Sequence, residues 1–266
     1  MQSFEALPAA DIRAVFCDID DTLTTDGRLP AVAYEAVEKL AGAGIPVVPV
    51  TGRPAGWCDM IARFWPVAGV VGENGAFYFS YDRSARRLHQ AFVLSAEERA
   101  TLQARLAEVK AQILAAVPGA GVASDQPYRI HDLAIDFCED VEPLERADVD
   151  RIVEIFEAAG ATAKVSSIHV NGWFGTYDKL GMIRRIAREV LDLDLDRPEV
   201  RQRAVYVGDS PNDEPAFGFF EHSVGVANIR AFTDRLTSPP AYVTQREGGE
   251  GFAELTCHLL HDRALR

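Results

Sequence analysis

Short apolar runs that stop abruptly at polar or glycine residues recur along the chain: AVFCDI from Ala14, IPVVPVTG from Ile45, VAGVVGENG from Val67 and, much later, AVYVGDS from Ala204, SVGVANI from Ser223 and AYVT from Ala241. Unbroken runs of this kind suit strands buried on both faces of a parallel sheet. Between them the apolar spacing lengthens to that of a helix. Pro30 to Leu40 sets Val32, Ala36, Val37 and Leu40 on one face ahead of Gly42 and Gly44, and Tyr177 to Leu191 aligns Leu180, Ile183, Ala187 and Val190. Strand then helix, repeated, predicts an α/β fold with a doubly wound, Rossmann-like parallel sheet.

The middle of the chain breaks this rhythm. After Gly75, AFYFSYD and RRLHQAFV read as a hairpin turning at Arg83 and Ser84, followed by a helix from Ser95 to about Val117 that ends at Pro118 and Gly119. Strands are then expected near Val122–Ser124 and Leu133–Cys138, a helix over Leu144–Ala159, and strands over Thr162–Ser166 and Ile168–Asn171. Helix, strand, strand thus occurs twice. The organisation expected is a discontinuous α/β core, 1–92 and 172–266, interrupted by an α+β module over 93–171.

Composition narrows the class. With 48% apolar and 25% charged residues, and no apolar run near the roughly 20 residues of a membrane span, the 266-residue chain reads as globular with no membrane partner. The segment MQSFEALPAADIR lacks the basic start and apolar middle of a secretory signal, so a cytoplasmic location is expected. Cys17, Cys58, Cys138 and Cys257 are too scattered for a zinc or disulfide framework and read as buried small hydrophobes. A formal net charge of −13 argues against a nucleic-acid partner, since that binding depends on Lys and Arg neutralising phosphates.

In an open parallel sheet, ligands sit beyond the carboxyl ends of the strands. The residues there are Asp18, Asp20, Asp21 and Thr22 after the first run, Thr51, Gly52 and Arg53 after the second, and Asp209, Ser210, Asn212 and Asp213 after AVYVG. So many carboxylates facing one crevice repel unless a cation offsets them. Oxygen donors without His or Cys favour a hard divalent ion, Mg2+ above all. Add the Thr51 hydroxyl, the amides around Gly52 and a lysine at a helix start, Lys179, and the set describes a phosphoryl site. The D-x-D spacing supplies one carboxylate to attack phosphorus and another to protonate the leaving oxygen.

The segments DIDDT (18–22), VTGR (50–53), DK (178–179) and GDSPND (208–213), in this order and with an insert between the second and third, resemble the haloacid dehalogenase superfamily. The insert is similar to the type IIB cap of Cof-type sugar phosphatases and of sucrose-phosphate and mannosyl-3-phosphoglycerate phosphatases. The resemblance implies a magnesium-dependent phosphatase acting on a small phosphate ester, a sugar phosphate in particular, through an aspartyl phosphate. It implies Asp18 as nucleophile and metal ligand, and Asp20 as general acid and base that also lends its backbone carbonyl to the metal. Asp209 and Asp213 complete the metal set, while Thr51, Gly52, Lys179 and Asn212 hold the phosphoryl group. Asp21 stands where the family commonly has glycine, and VGENGAF (71–77) resembles an E-N-G-A stretch of the same subgroup.

Rival expectations remain. A phosphomutase of the same superfamily would return the phosphoryl group to a sugar. A receiver-like phospho-acceptor also clusters Asp, Thr and Lys, but lacks the second carboxylate of D-x-D. Asp178 reads as a helix N-cap, and Trp57, Trp65 and Trp173 as core or hinge packing. Arg129, His131, Lys164, His169 and Asn171 are polar residues on or beside the module's strands with no role assigned, and the oligomeric state is not legible.

Overall fold

In the computed structural model, which describes residues 1–9, 11–166 and 168–264 (backbone only for 262–264), the apolar runs become strands and the longer-period segments helices. In chain order they are β1 (Gln2–Ser3), β2 (Ala14–Cys17), α1 (Ala31–Gly42), β3 (Val47–Pro49), α2 (Ala55–Phe64), β4 (Val70–Gly72), β5 (Phe77–Asp82) and β6 (Arg87–Phe92). Then follow α3 (Ala96–Ala116), β7 (Gly121–Val122), β8 (Leu133–Asp136), α4 (Arg146–Ala158), β9 (Thr162–Val165) and β10 (His169–Trp173). The chain closes with α5 (Lys179–Leu191), α6 (Pro198–Arg201), β11 (Ala204–Gly208), α7 (Glu214–Phe219), β12 (His222–Gly225), β13 (Tyr242–Val243) and α8 (Gly248–Ala264).

Six strands form a wholly parallel sheet in the order β1-β13-β12-β11-β2-β3. From β2 the chain moves outward to β3. From β11 it moves the other way, to β12 and β13, so the winding reverses between β2 and β11, where such sheets open a ligand crevice. Side chains alternate along β2: Val15 and Cys17 pack into a layer with α1, α2 and α8, while Ala14 and Phe16 pack into the opposite layer with α5 and α7. Both faces are covered, and for that reason β2 and β11 read as unbroken apolar runs.

The VAGVVGENG run departs from expectation. Among the described residues Val71 pairs with the parallel sheet only by a bridge to Val50, and β4 instead begins an antiparallel sheet, β4-β5-β6. The hairpin that follows Gly75 folds straight back on β4 and takes up its hydrogen bonds. From α3 to β10 the chain builds a third sheet, β7-β8-β10-β9, antiparallel throughout, with α3 and α4 packed on it. Ser95 and Glu98 start α3 with a reciprocal capping box. This part has its own core around Ile113, Ile135, Ile152, Phe156 and Val170. Its last strand runs to Trp173, and Phe174 still belongs to that core.

Two packing expectations need correction. Cys17 and Cys58 are buried, but Cys138 is only partly so and Cys257 is exposed. Trp173 is buried, whereas Trp57 is 41% exposed, its indole lying beneath the Arg53 guanidinium, 4.6 Å from ring centre to Cζ. Among the described residues no helix is long and apolar enough to cross a membrane.

Candidate active site

Backbone pairing brings the first two acids together. Cys17 and Val207 are partners in the β2–β11 register, so Asp18 and Asp209, one and two residues further on, leave the sheet side by side. The Asp18 amide donates to the Val207 carbonyl at 2.9 Å. On the far side, Asp178 caps α5 by accepting from the Gly181 amide at 2.7 Å, as an N-cap should. That capped first turn presents Lys179, whose Nζ donates to Asp18 Oδ1 at 2.6 Å, to Asp213 Oδ1 at 3.1 Å and to Asn212 Oδ1 at 3.5 Å.

Asp213 is fully engaged. Its Oδ1 also accepts the Tyr206 hydroxyl at 2.6 Å, and its Oδ2 accepts the amides of Asp209 at 3.2 Å and Ser210 at 3.4 Å. Gly208 allows this: a Cβ there would stand 2.4 Å from Asp213 Oδ2. Tyr206 escapes a reading of sequence, because it sits among apolar strand residues. The Asp209 carboxylate accepts from the Thr22 hydroxyl at 3.3 Å.

Asp18, Asp209, Asp213 and Lys179 are all buried. Burial pushes the Asp18 carboxyl up to about 8, with Asp213 and Asp20 adding to the rise and Lys179 opposing it. Asp209 is likewise pushed well above its ordinary value by burial and by Asp18 and Asp213. Burial alone would lower Lys179, but Asp18 and Asp213 more than offset it and hold the ammonium above its ordinary value. Were all three buried carboxylates ionised, they would exceed the one ammonium by two negative charges, which one divalent cation would neutralise. Among the described residues no three His, Cys, Asp or Glu side chains form a complete metal-ligand set. Two carboxylates with a carbonyl and waters remain a donor set that suits magnesium, which keeps several waters and shares its shell with phosphate.

The opposite wall comes from the loop after β3. Thr51 is wholly buried; its Oγ1 accepts from the Arg53 amide at 3.0 Å, and its hydroxyl hydrogen has no acceptor among the described residues. Gly52 turns its carbonyl to Arg129 Nη1 at 2.8 Å. The Asp20 carboxylate lies against Arg53, and Arg53 Nη1 reaches Glu139 at 3.2 Å. Asp21 has a φ of 59°, a left-handed conformation that glycine adopts freely and Asp tolerates. The backbone demand for which a glycine would serve is therefore still present.

A small cavity joins these groups, lined by Asp18, Asp20, Gly52, Asp209 and Asn212 on one side and by Arg129, His169 and Asn171 on the other. It is narrow, and it meets a wider vestibule at Ser166, Asp209 and Ser210. His169 Nε2 lies 2.9 Å from Glu139 Oε2, and that hydrogen bond, with the Arg53 charge, pulls Glu139 down to about 2. Arg129 pairs with Asp125 and Asp132, Asn171 donates to Asp132 at 3.2 Å, and Lys164 is exposed. The E-N-G-A resemblance marked the segment of Glu73 but gave its carboxylate no role; that carboxylate accepts the amides of Ala55 at 3.0 Å, Ile130 at 3.0 Å, His131 at 2.6 Å and Asp132 at 3.2 Å. These partners lie 18 to 59 residues away, so no local pattern announces them.

The predicted site residues therefore share one crevice: Asp18, Asp209, Asp213, Lys179 and Asn212 in direct contact or adjacent, Asp20, Thr51 and Gly52 on the facing wall. Residues 15–116 match the family model of haloacid dehalogenase-like hydrolases. A phosphoglycolate phosphatase of Methanothrix thermoacetophila is 28% identical over 255 residues, covering 93% of this chain and 97% of that protein. A Thermoplasma acidophilum structure superposes with a TM-score of 0.69 at 20% identity, covering 93% of this chain and 98% of the other. The sucrose-phosphatase of Synechocystis, solved with sucrose and phosphate, gives a TM-score of 0.62 at 15% identity and covers 94% of this chain and 98% of its own. The family match thus lies on the segment that carries Asp18, Asp20 and Thr51, and the solved structures share the fold over nearly the whole chain, so the chain is similar to the haloacid dehalogenase-like hydrolases.

Proposed function

We propose that this hydrolase moves the phosphoryl group of a small phosphorylated metabolite to water, with Asp18 as the nucleophile. The observation that carries the reading is the buried Asp18 carboxylate held 2.6 Å from the Lys179 ammonium, with Asp209 beside it. Asp18 attacks phosphorus, and a bond from its carboxylate oxygen forms as the ester bond breaks. Asp20 gives its proton to the leaving oxygen. Asp20 then takes a proton from water, whose oxygen bonds to phosphorus, releasing inorganic phosphate and restoring Asp18. Lys179, the Thr51 hydroxyl, the amides around Gly52 and Asn212 would hold the phosphoryl oxygens throughout.

Asp18, the Asp20 carbonyl and Asp209 would hold Mg2+. Asp213 has both oxygens occupied by Lys179, Tyr206 and two amides, which supports contact with the ion through a water. When bound, the ion neutralises charge on the phosphoryl oxygens. The segment 93–171 acts as a cap over the core formed by 1–92 and 172–266, a reading supported by its separate hydrophobic cluster and by Arg129, His169 and Asn171 in the cavity wall.

The leaving group we favour is a sugar. Arg53 and Arg129 are already paired with Asp20, Glu139, Asp125 and Asp132, so hydroxyl groups can enter without breaking an ion pair, whereas a carboxylate would have to displace one. The likeness to a phosphoglycolate phosphatase favours a small phosphorylated acid as the second reading. A panel of phosphate esters with magnesium, including hexose phosphates and phosphoglycolate and read as kcat/KM, separates the two. Release of free phosphate without a bisphosphate activator separates hydrolysis from phosphomutase chemistry. Full activity in Asp18→Asn would defeat the nucleophile assignment.

A further inference from the structure

We propose that the side-chain amide of Asn74 is a substrate-binding donor that takes an oxygen of the phosphoryl group; this rests on the phosphatase reading above. Asn74 is 7% exposed, and its Nδ2 has no hydrogen-bond partner among the described residues. Buried amide donors are almost always paired, so one left open points to an acceptor that comes from outside the chain. The amide faces the reaction site. Asn74 lines the small cavity with Asp18, Gly52 and Asp209, and it also lines the narrow cleft beside it with Lys179 and Asn212. Its Oδ1 and Nδ2 lie 3.2 and 3.3 Å from the point where a Gly52 Cβ would stand.

The backbone that aims it is built, at a conformational cost. Glu73 and Asn74 have φ values of 42° and 56°, two successive left-handed residues of which neither is glycine. Six amide hydrogen bonds hold that turn in place. The Glu73 carboxylate gathers amides from Ala55 and from Ile130, His131 and Asp132; the Glu73 amide donates to Arg53 O at 3.1 Å; the Asn74 amide donates to Thr51 O at 3.1 Å. Next in the chain, Gly75 lies so close to α5 that a Cβ would stand 2.0 Å from the Asp178 carbonyl oxygen. The turn is thus tied to the loop of Thr51 and to the helix of Lys179, the two elements that would grip the phosphoryl oxygens. Asn74 sits between them with its donor unspent.

Asn74→Gly tests this well, because glycine suits a left-handed residue and removes the carboxamide together with its Cβ. Asn74→Asp keeps the shape and exchanges donor for charge. The measurements are KM and kcat for an ester the wild type hydrolyses, inhibition by inorganic phosphate, and Tm. Asn74→Gly should weaken phosphate inhibition and raise KM by about 10- to 100-fold, the range for a hydrogen bond to a charged group, with Tm unchanged or higher. Asn74→Asp should weaken both further. Unaltered phosphate inhibition in Asn74→Gly, beside normal wild-type turnover, overturns the inference alone, as does a loss of affinity that only follows a falling Tm. A wild type that neither binds phosphate nor hydrolyses any ester sinks the phosphatase reading, and this inference with it.

Discussion

Arg53 grips Asp20 by both carboxylate oxygens, with Nε 3.0 Å from Oδ1 and 3.2 Å from Oδ2, and Nη2 2.9 Å from Oδ1. The same guanidinium extends Nη1 to Glu139, in the connection between β8 and α4. One side chain therefore fixes the rotamer of the proposed acid and base and ties it to the inserted module.

Removing that grip should cost rate. We expect Arg53→Ala to lower kcat about 10- to 100-fold, because a misaligned proton donor loses that order of advantage. Arg53→Lys should recover only part of it, since an ammonium cannot match the two-pronged geometry. Steady-state kinetics decide: wild-type kcat in Arg53→Ala would mean that Asp20 is positioned by something else.

Asp20→Asn should divide the reaction in two. With an aryl phosphate, whose leaving group needs no proton, attack by Asp18 proceeds, but no base then activates water. Rapid mixing should show a burst of about one equivalent of phenolate followed by a rate at least about 100-fold below wild type, the scale of general base catalysis. A linear trace with no burst would assign Asp20 another task.

Much of this was legible in the chain. The apolar runs marked by Phe16, Val48 and Tyr206 become sheet strands because burial on both faces leaves no room for polar alternation, and the acids after them converge because all strands point the same way. What stayed hidden depends on distant partners. The Glu73 carboxylate meets amides up to 59 residues away, and Glu139 meets Arg53 across 86. Local period says nothing of such pairs. Trp57 misled for a related reason: its indole is spent under Arg53 at the surface, which no spacing within α2 reveals.

Magnesium should stabilise the folded protein as well as support turnover. Burial with Asp18 and Asp213 near at hand disfavours the ionised Asp209, so a cation that relieves the repulsion raises Tm. At a magnesium concentration about 100-fold above Kd the gain is about 2.7 kcal/mol, or roughly 5 to 10 °C for a chain of this size. Asp209→Asn should melt higher than wild type in EDTA and respond far less to magnesium. Identical magnesium shifts in variant and wild type, read by calorimetry, would remove Asp209 from the site.

His131 should set part of the acid sensitivity. Its ring stands among Phe77, Phe92 and Tyr177, neither nitrogen has a hydrogen-bond partner among the described residues, and Glu73 Oε2 is 3.8 Å from Nδ1, outside bonding reach. Burial, with the charge of Arg99 nearby, lowers its pKa from 6.5 to about 3. The unfolded chain therefore takes up a proton near pH 6.5 that the folded protein refuses. The stability this residue contributes is complete above that pH and declines as pH falls towards 3, by about 1.4 kcal/mol per unit. His131→Phe keeps an aromatic ring in the cage and abolishes the linkage. Between pH 7 and pH 5 the wild type should lose about 2 kcal/mol more than the variant in urea unfolding. Parallel losses in the two proteins would show that His131 is protonated in the native state, against the burial that surrounds it.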